Sequence, residues 1–516
     1  MAVTWDYENA AHLLKRAGFG GAPDDIQDFL DRHGDVDGAV AELLGHAPSD
    51  KKPPPKKDQS FESKLKMQRW WVKTMLKARS PGDQCREKLV LFWHNFLASG
   101  ASRQPELRFM SYQNRLFRIF AKGNFRDLLR EFNRDPANLY YLDGILNNFG
   151  EAQEGLPGSG VPAVNANENF GREVLELFAL GPFQFAADGL DDPAKPNYTE
   201  DDVHQLSRAL SGWIDIDGEI GVWNSDSWDG GQGDDTKPPD GVPDPVVIFG
   251  VSNDNFRIDD AVVGTSDDVL PLILDQLDDD GNRQAAMFVA RKFWEYYAYP
   301  APATGLKVLL EGFAATLYGS DYEIEPMLQQ MWTSDEFYSA EAKSRTVKSP
   351  VEYVLQALKA LRVRSNGKYI GDGDVELGEH LSRMGMDLYE PPNVAGWPGG
   401  TRWITSSTLL ERVEFVKDLA DADKGSGRIR GKFLERVQLT GVRQADEVVD
   451  EVIAQLGLDI GVLGLTSVER DALIAYATND GAITTLDLTS DQTEDFRLKV
   501  RGIIGLALQA AESHVH

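Results

Sequence analysis

Apolar residues recur every three or four positions along most of this chain, and this spacing constrains its fold more than any other feature. The segment SKLKMQRWWVKTMLKARS shows it clearly, with Met67, Trp71 and Met75 four positions apart. On a helix such residues share one face, which needs a partner surface to be buried. The pattern continues to FRLKVRGIIGLALQAAES near the end of the sequence. It predicts a mainly α fold, a large multi-helix bundle.

Two stretches interrupt the helical pattern and suggest a domain organisation. Residues 48–60 contain three consecutive prolines, which predict an extended, stiff linker. Residues 214–262 are rich in Asp, Gly and Pro and contain short β-like runs such as Val246 to Phe249, so an irregular acidic insertion is expected there. The chain then divides into an N-terminal helical part (1–213), the insertion, and a C-terminal helical part (263–516). We expect the two helical parts to form one continuous body.

The charge balance argues against two classes of partner. The formal net charge is −29, from 53 Lys and Arg against 82 Asp and Glu. Nucleic-acid affinity depends on neutralising phosphates, so no nucleic acid is expected as a partner, and anionic membranes are disfavoured for the same reason. No stretch approaches the roughly 18 apolar residues of a membrane span. The N-terminal sequence lacks a basic start followed by an apolar run, which favours a cytoplasmic location.

The segment NENFGREVLELFALG carries the most suggestive pair of acidic residues. In a regular helix Glu173 and Glu176 lie about 60° apart on a polar face that also holds Arg172. Paired carboxylates can bind a hard cation or divide the roles of acid and base. A solvated helix face gives the same pattern, so both interpretations stay open.

Two histidines are candidate partners of these carboxylates. His204 follows the acidic first turn of the next helix, for which Thr199 is the expected N-cap. His94 in FWHNF is surrounded by apolar residues and is either a core histidine or a nitrogen ligand. A site of His94, Glu173 and Glu176 could hold a divalent metal, although the sequence has no HExxH or ExxH spacing.

Several tryptophans fall in loops rich in Gly, Pro or polar residues. Exposed indoles beside carboxylates are typical of sugar-binding clefts, so Trp228, Trp397 and Trp403, together with Arg172, are candidate substrate-binding residues. Hydrolysis of a glycoside needs two carboxylates roughly 5–10 Å apart. The other interpretation is that these tryptophans anchor loops onto the core.

Six ordered blocks carry a family resemblance across almost the whole chain. They are HLLKRAGFG, KLVLFWHNFLASG, GNFRDLLREFNRDPANLYYLDG, NENFGREVLELFALG, YTEDDVHQLSRALSGW and PPNVAGWPGG followed by LLERV. Together they resemble the bacterial domain-of-unknown-function 1800 family. The resemblance implies no settled activity. Many members look exported and sit beside sulfatase-like exported proteins, which implies an exported location and work on an envelope polymer. This chain differs in lacking an export signal, and in having SNDNFRIDD where relatives tend to show a His-Asp pair.

Two hypotheses about function follow. The first is a hydrolase-like enzyme, metal-assisted or not, that acts on a carbohydrate or envelope-type polymer. Glu173 and Glu176 supply its carboxylates, and His94 or His204 supplies a base or ligand. The alternative is a non-catalytic binding or assembly protein that works with an exported sulfatase-like partner. An enzyme requires the two glutamates and a histidine to converge in one cleft. The sequence contains no G-x-S-x-G and no Walker A motif, which argues against a serine hydrolase or an NTPase.

Overall fold

The computed structural model describes most of the chain. The described residues are 3–147, 168–217, 220–223, 246–253, 255–258, 260–344, 346–363, 376–420, 440–458, 464–490 and 493–516. This part is mainly α-helical, and its named strands form two-stranded antiparallel sheets only. The predicted fold class is therefore confirmed.

The N-terminal part is a succession of helices with well-formed starts. Ser80 caps a helix whose first residue is Pro81, a position that favours proline because its backbone N–H would have no partner within the helix. The helices are α1 Tyr7–Ala17, α2 Pro23–Arg32, α3 Val36–Leu44, α4 Phe61–Lys77, α5 Pro81–Phe96, α6 Arg108–Ile119, α7 Phe125–Asn133 and α8 Pro136–Tyr141.

The middle part contains the glutamate helix and three short hairpins. The helix α9 (Glu168–Glu173) continues directly into a π-helical segment, Val174–Ala179. An antiparallel hairpin follows, in which Phe183 pairs with Pro196 and Phe185 with Asp191. The remaining elements are β1 Phe183–Phe185, β2 Asp191–Pro196, α10 Glu200–Ala209, β3 Trp213–Asp217, β4 Ile220–Trp223, β5 Val246–Ile248 and β6 Val251–Asn253.

The C-terminal part is again helical, with one short sheet made by β7 and β8. A second π-helical segment, Asp495–Val500, leads directly into its last long helix. The elements are α11 Val269–Leu274, α12 Gln284–Tyr297, α13 Leu306–Gly319, α14 Ile324–Thr333, α15 Ala340–Ser344, α16 Pro350–Ala360, α17 Leu377–Arg383, α18 Ser406–Ala420, β7 Gly441–Gln444, α19 Ala445–Leu456, α20 Ser467–Thr478, β8 Thr485–Leu488 and α21 Arg501–Gln509.

The buried apolar side chains form one cluster that includes residues of both predicted helical parts. At its centre α5 packs on α12, where the rings of Phe92 and Phe293 lie 4.1 Å apart. The proline-rich stretch packs on this body as well. The guanidinium of Arg118 donates a hydrogen bond to the Lys51 carbonyl at 2.8 Å, and Pro53 is buried. Residues 49–53 thus lie along α6.

The end of α5 is tied to a loop that lies about 300 positions later in the sequence. The amide of Trp397 donates a hydrogen bond to the Asn95 side chain at 2.7 Å. Next to it, a Cβ added to Gly396 would lie 2.2 Å from the Asn95 carbonyl oxygen, and the φ of Gly396 is +81°. Only glycine allows this approach and this backbone conformation together.

Two glycine substitutions in the same loop separate the effect of the positive φ from that of the close approach to Asn95. Gly399 also has a positive φ, +65°, but a Cβ there meets nothing within 4 Å. We expect Gly399→Ala to cost about 1–3 kcal/mol, because φ +65° with ψ −176° is a backbone conformation that is essentially restricted to glycine. Gly396→Ala should cost at least about 3 kcal/mol, because the backbone of Asn95 must also move. Denaturant unfolding followed by circular dichroism measures both, and equal losses would contradict the close contact.

Candidate acid–base site

The helix that carries the candidate glutamates is held closely on two sides. A Cβ added to Gly171 would lie 2.2 Å from the hydroxyl of Ser207, so α9 and α10 touch at this glycine. On another side the ring of Phe170 lies within 3.2 Å of the position that a Cβ of Gly144 would take, just after α8. These contacts fix α9 between α10 and the end of α8.

The change from α-helix to π-helix falls between the two glutamates. Glu173 is the last residue of α9, and Glu176 lies within the π segment. The amide of Leu180 donates to the carbonyl of Leu175, five residues back, at 2.8 Å. The wider turn invalidates the angle expected from a regular helix. π-helical turns are frequent at functional sites.

Glu173 is a half-buried carboxyl in an unfavourable environment for its charge. Burial, and then the neighbouring charge of Glu176, raise its pKa to about 7, while Arg172 lowers it slightly. Among the described residues nothing donates a hydrogen bond to it. Glu176 differs, because the hydroxyl of Tyr198 donates a hydrogen bond to its carboxylate at 3.1 Å. The two glutamates therefore have unlike surroundings.

A third carboxylate, from a distant part of the chain, approaches the same place. Glu390 is held by Ser102, whose amide and hydroxyl donate hydrogen bonds to its two oxygens at 2.8 and 2.6 Å. A Cβ built on Gly100 would lie 3.0 Å from both a Glu390 oxygen and the ring of Tyr141. Tyr141 thus contacts the region of Glu390 at the end of α8.

Tyr141 connects this carboxylate to the glutamate helix. Burial raises its pKa, and the charges of Glu390 and Glu173 raise it further, whereas Arg103 lowers it. Both carboxylates are therefore close enough to act on one phenol. Glu173, Glu176, Glu390, Tyr141 and Tyr198 together form what we call the acid–base site.

A buried aspartate supports the position of Tyr141. Asp135 caps α8 by accepting from the amide of Asn138 at 3.1 Å, and the side chain of Gln113 donates to it at 2.8 Å. Burial raises its pKa to about 7. Its hydrogen bonds hold the start of the helix that ends at Tyr141, so its role is structural.

His94 lies inside the aromatic core. The centroid of its ring lies 5.4–5.7 Å from those of Trp71, Tyr389 and Trp397. The rings of Trp71 and Tyr389 lie 5.1 Å apart. Burial lowers the pKa of His94 to about 3, and its Nε2 has no hydrogen-bond partner among the described residues. This placement corresponds to the core-histidine interpretation of the sequence.

The predicted metal set is not assembled. Within the described ranges, no group of three His, Cys, Asp or Glu side chains is arranged to hold a metal ion. The donors His94, Glu173 and Glu176 therefore do not fit a divalent metal as a trio.

His204 and Arg172 lie on the rim formed by α9 and α10. Arg172 donates two hydrogen bonds to Glu200 at 3.0 and 2.6 Å, and His204 lies 3.6 Å from Glu168. Both side chains are partly exposed. Arg172 is engaged in ion pairs at this rim, and its predicted substrate contact stays a prediction.

The two described candidate tryptophans are buried. Trp397 is 5% exposed and Trp403 is 6% exposed, so neither presents a free indole face on which a sugar could stack. Trp397 packs on His94, and the hydroxyl of Thr408 donates to the Trp403 carbonyl. These contacts correspond to the anchoring interpretation. Trp228 lies outside the described residues.

Three members of the site were not among the candidates from sequence, namely Tyr141, Tyr198 and Glu390. Each lies in or directly beside a block that carried the family resemblance: LYYLDG, YTEDDVH and YEPPNVAGW. Their position in or beside these blocks was the signal in the sequence that could have identified them as site residues. Their convergence depends on contacts between distant parts of the chain, which no local pattern contains.

The fold and the site define a mainly helical protein in which the charges of carboxylates from two distant parts of the chain raise the pKa of one tyrosine. A family model described as "Protein of unknown function (DUF1800)" matches residues 12–509, and the chain belongs to this family. None of the curated proteins and none of the solved structures matches it. Across the described ranges, no helix combines the length and apolar character needed to cross a membrane.

The raised pKa of Glu173 predicts a pH-dependent effect on stability. Between the ordinary pKa of 4.5 and the folded value of about 7, the folded state holds a proton that the unfolded state has lost. This carboxyl therefore destabilises the fold increasingly as the pH rises through that window. We therefore compare the free energy of unfolding of Glu173→Gln with that of the wild type at each pH. This difference should be about 1 kcal/mol more favourable to the variant at pH 8 than at pH 4, a value reduced because Glu173 is partly exposed.

The matched control is Glu414→Gln on the exposed side of α18. Denaturant unfolding at pH 4, 6 and 8 measures each variant against the wild type. A difference between Glu173→Gln and the wild type that does not change with pH would show that the carboxyl is not perturbed.

Proposed function

We propose that the protein is a hydrolase that cleaves glycosidic bonds of a carbohydrate or envelope-type polymer by general acid–base catalysis. The observation that carries the proposal is the environment of Glu173, whose pKa near 7 lets it hold a proton at neutral pH. A carboxylic acid in this state can protonate a leaving-group oxygen.

Glu176 has a supporting role in this proposal. Its charge is the second largest cause of the raised pKa of Glu173, after burial. Tyr198 fixes the Glu176 carboxylate by a hydrogen bond at 3.1 Å. Glu176 is thus a positioning residue that keeps the acid protonated.

Glu390 is the carboxylate assigned to the base. It comes from a separate part of the chain, so a substrate could lie between it and Glu173, beside Tyr141. Its two oxygens are oriented by Ser102. Water attacks the anomeric carbon and gives its proton to Glu390, the bond to the leaving oxygen breaks, and that oxygen takes the proton of Glu173.

The acidic surroundings limit the substrate class. Three carboxylates face the site, and the whole chain carries a net charge of −29. A polyanion would be repelled, so a neutral polysaccharide or one with amino sugars is the substrate that the charges favour. Two carboxylates are the groups that glycosidic hydrolysis requires, without a metal or a serine nucleophile.

A screen of neutral and amino-sugar polymers tests the proposal through the release of reducing ends. Glu173→Gln should lower kcat at least about 100-fold, the usual contribution of a general acid. The wild-type rate should fall above pH 7, where Glu173 loses its proton. Glu176→Gln should move this alkaline limb to lower pH, because the neighbouring negative charge is removed.

Glu414→Gln is again the control and should retain the wild-type rate. Full activity in Glu173→Gln would remove the acid from the mechanism. An unchanged alkaline limb in Glu176→Gln would contradict the assigned role of Glu176. Failure of the wild type to hydrolyse any polymer of these classes would contradict the substrate assignment.

A further inference from the structure

A crevice lies far along the chain from the acid–base site, between the turn after α1, α16 and the end of α19. Gly20 and Gly21 form one wall, Gln356 and Ala357 another, and Gly457 and Leu458 a third. Its volume is about 30 Å³. A buried water needs about 10–15 Å³, so the space accommodates a group of two or three non-hydrogen atoms.

The side chain of Lys348 lines this crevice without a carboxylate partner. Lys348 is 8% exposed, and its ammonium donates one hydrogen bond, to the Ser513 carbonyl at 2.8 Å. No described carboxylate lies within ion-pair distance of it. An ammonium has three donors and burying it without compensation is costly. One carbonyl satisfies only part of this need.

The charges around Lys348 are mainly positive. Lys15 and Arg412 both act on it as like charges, and the Arg412 guanidinium donates a hydrogen bond to the Lys348 carbonyl at 2.8 Å. The nearby carboxylate, Glu352, is already engaged by Lys88, which forms a short ion pair with it. Burial and Lys15 lower the pKa of Lys348 to about 7. A positive interior in a chain with a net charge of −29 favours an anionic ligand.

We propose that this crevice binds a carboxylate of formate size, which pairs with the ammonium of Lys348. The volume excludes a larger anion such as phosphate in full, and a carboxylate presents two acceptors to one ammonium.

Binding at this position would connect the two ends of the described chain. The crevice joins the turn after α1 to Ser513, beyond α21, through Lys348. A ligand that binds the folded state and not the unfolded state raises the free energy of unfolding with the logarithm of its concentration once that exceeds Kd. The site is therefore detectable by unfolding, independently of any enzymatic activity.

Thermal unfolding of the full chain in sodium formate, compared with sodium chloride at equal ionic strength and pH 7, tests the proposal. The wild type should show a Tm in formate that rises with the logarithm of the formate concentration and exceeds the Tm in chloride. Lys348→Met keeps an unbranched side chain and removes the ammonium, and it should lose this difference. Lys417→Met, at an exposed lysine of α18, is the matched control and should retain it.

Ala357→Met fills the crevice without removing a charge and should abolish the formate response as well, which covers the case in which Lys348→Met does not fold. No formate response in the wild type, or an equal response in Lys348→Met, would overturn the proposal. A larger response to inorganic phosphate than to formate would overturn the carboxylate assignment. Glu173→Gln should respond to formate like the wild type, which separates this site from the proposed function.

Discussion

The contact between the end of α5 and the loop around Gly396 holds the acid–base site together. It places Asn95 against Trp397 and, through the turn that follows α5, Ser102 against Glu390. The amide of Ala101 adds a hydrogen bond to the Tyr389 carbonyl at 2.8 Å, so the segment of the third carboxylate is held against this turn at several points. The contact relies on the missing side chain of Gly396, because a Cβ there would lie 2.2 Å from a backbone oxygen. A packing requirement thus determines where a chemical group sits.

Much of the fold follows from local patterns, whereas the site does so only in part. Pro81 starts α5, and Thr199 caps α10 together with Asp202, since caps and first turns depend on neighbouring residues. Local sequence patterns predict neither the β1–β2 hairpin nor the π-helical segment after Glu173, because both depend on how these residues pack on the rest of the chain. His94 was a plausible ligand by sequence, but the rings that enclose it come from distant helices and loops.

Two groups with a pKa near 7 arise by related physical routes in different places. At Glu173 burial and a like charge disfavour the anion, and at Lys348 burial and a like charge disfavour the cation. Asp135 also has a raised pKa, but its carboxylate accepts the hydrogen bond that caps α8. The difference lies in the partners, since Glu173 accepts no hydrogen bond from the described residues and remains free to act on a substrate.

The central claim is that Glu173 and Glu390 face the same phenol, and the pKa of Tyr141 measures this most directly. Difference ultraviolet titration of the wild type against Tyr141→Phe isolates this tyrosine from the other 14. The account predicts a pKa above the ordinary value of 10 that falls in Glu173→Gln, falls in Glu390→Gln, and falls further in the double variant. A Tyr141 pKa that neither substitution changes would show that the two carboxylates do not share a site.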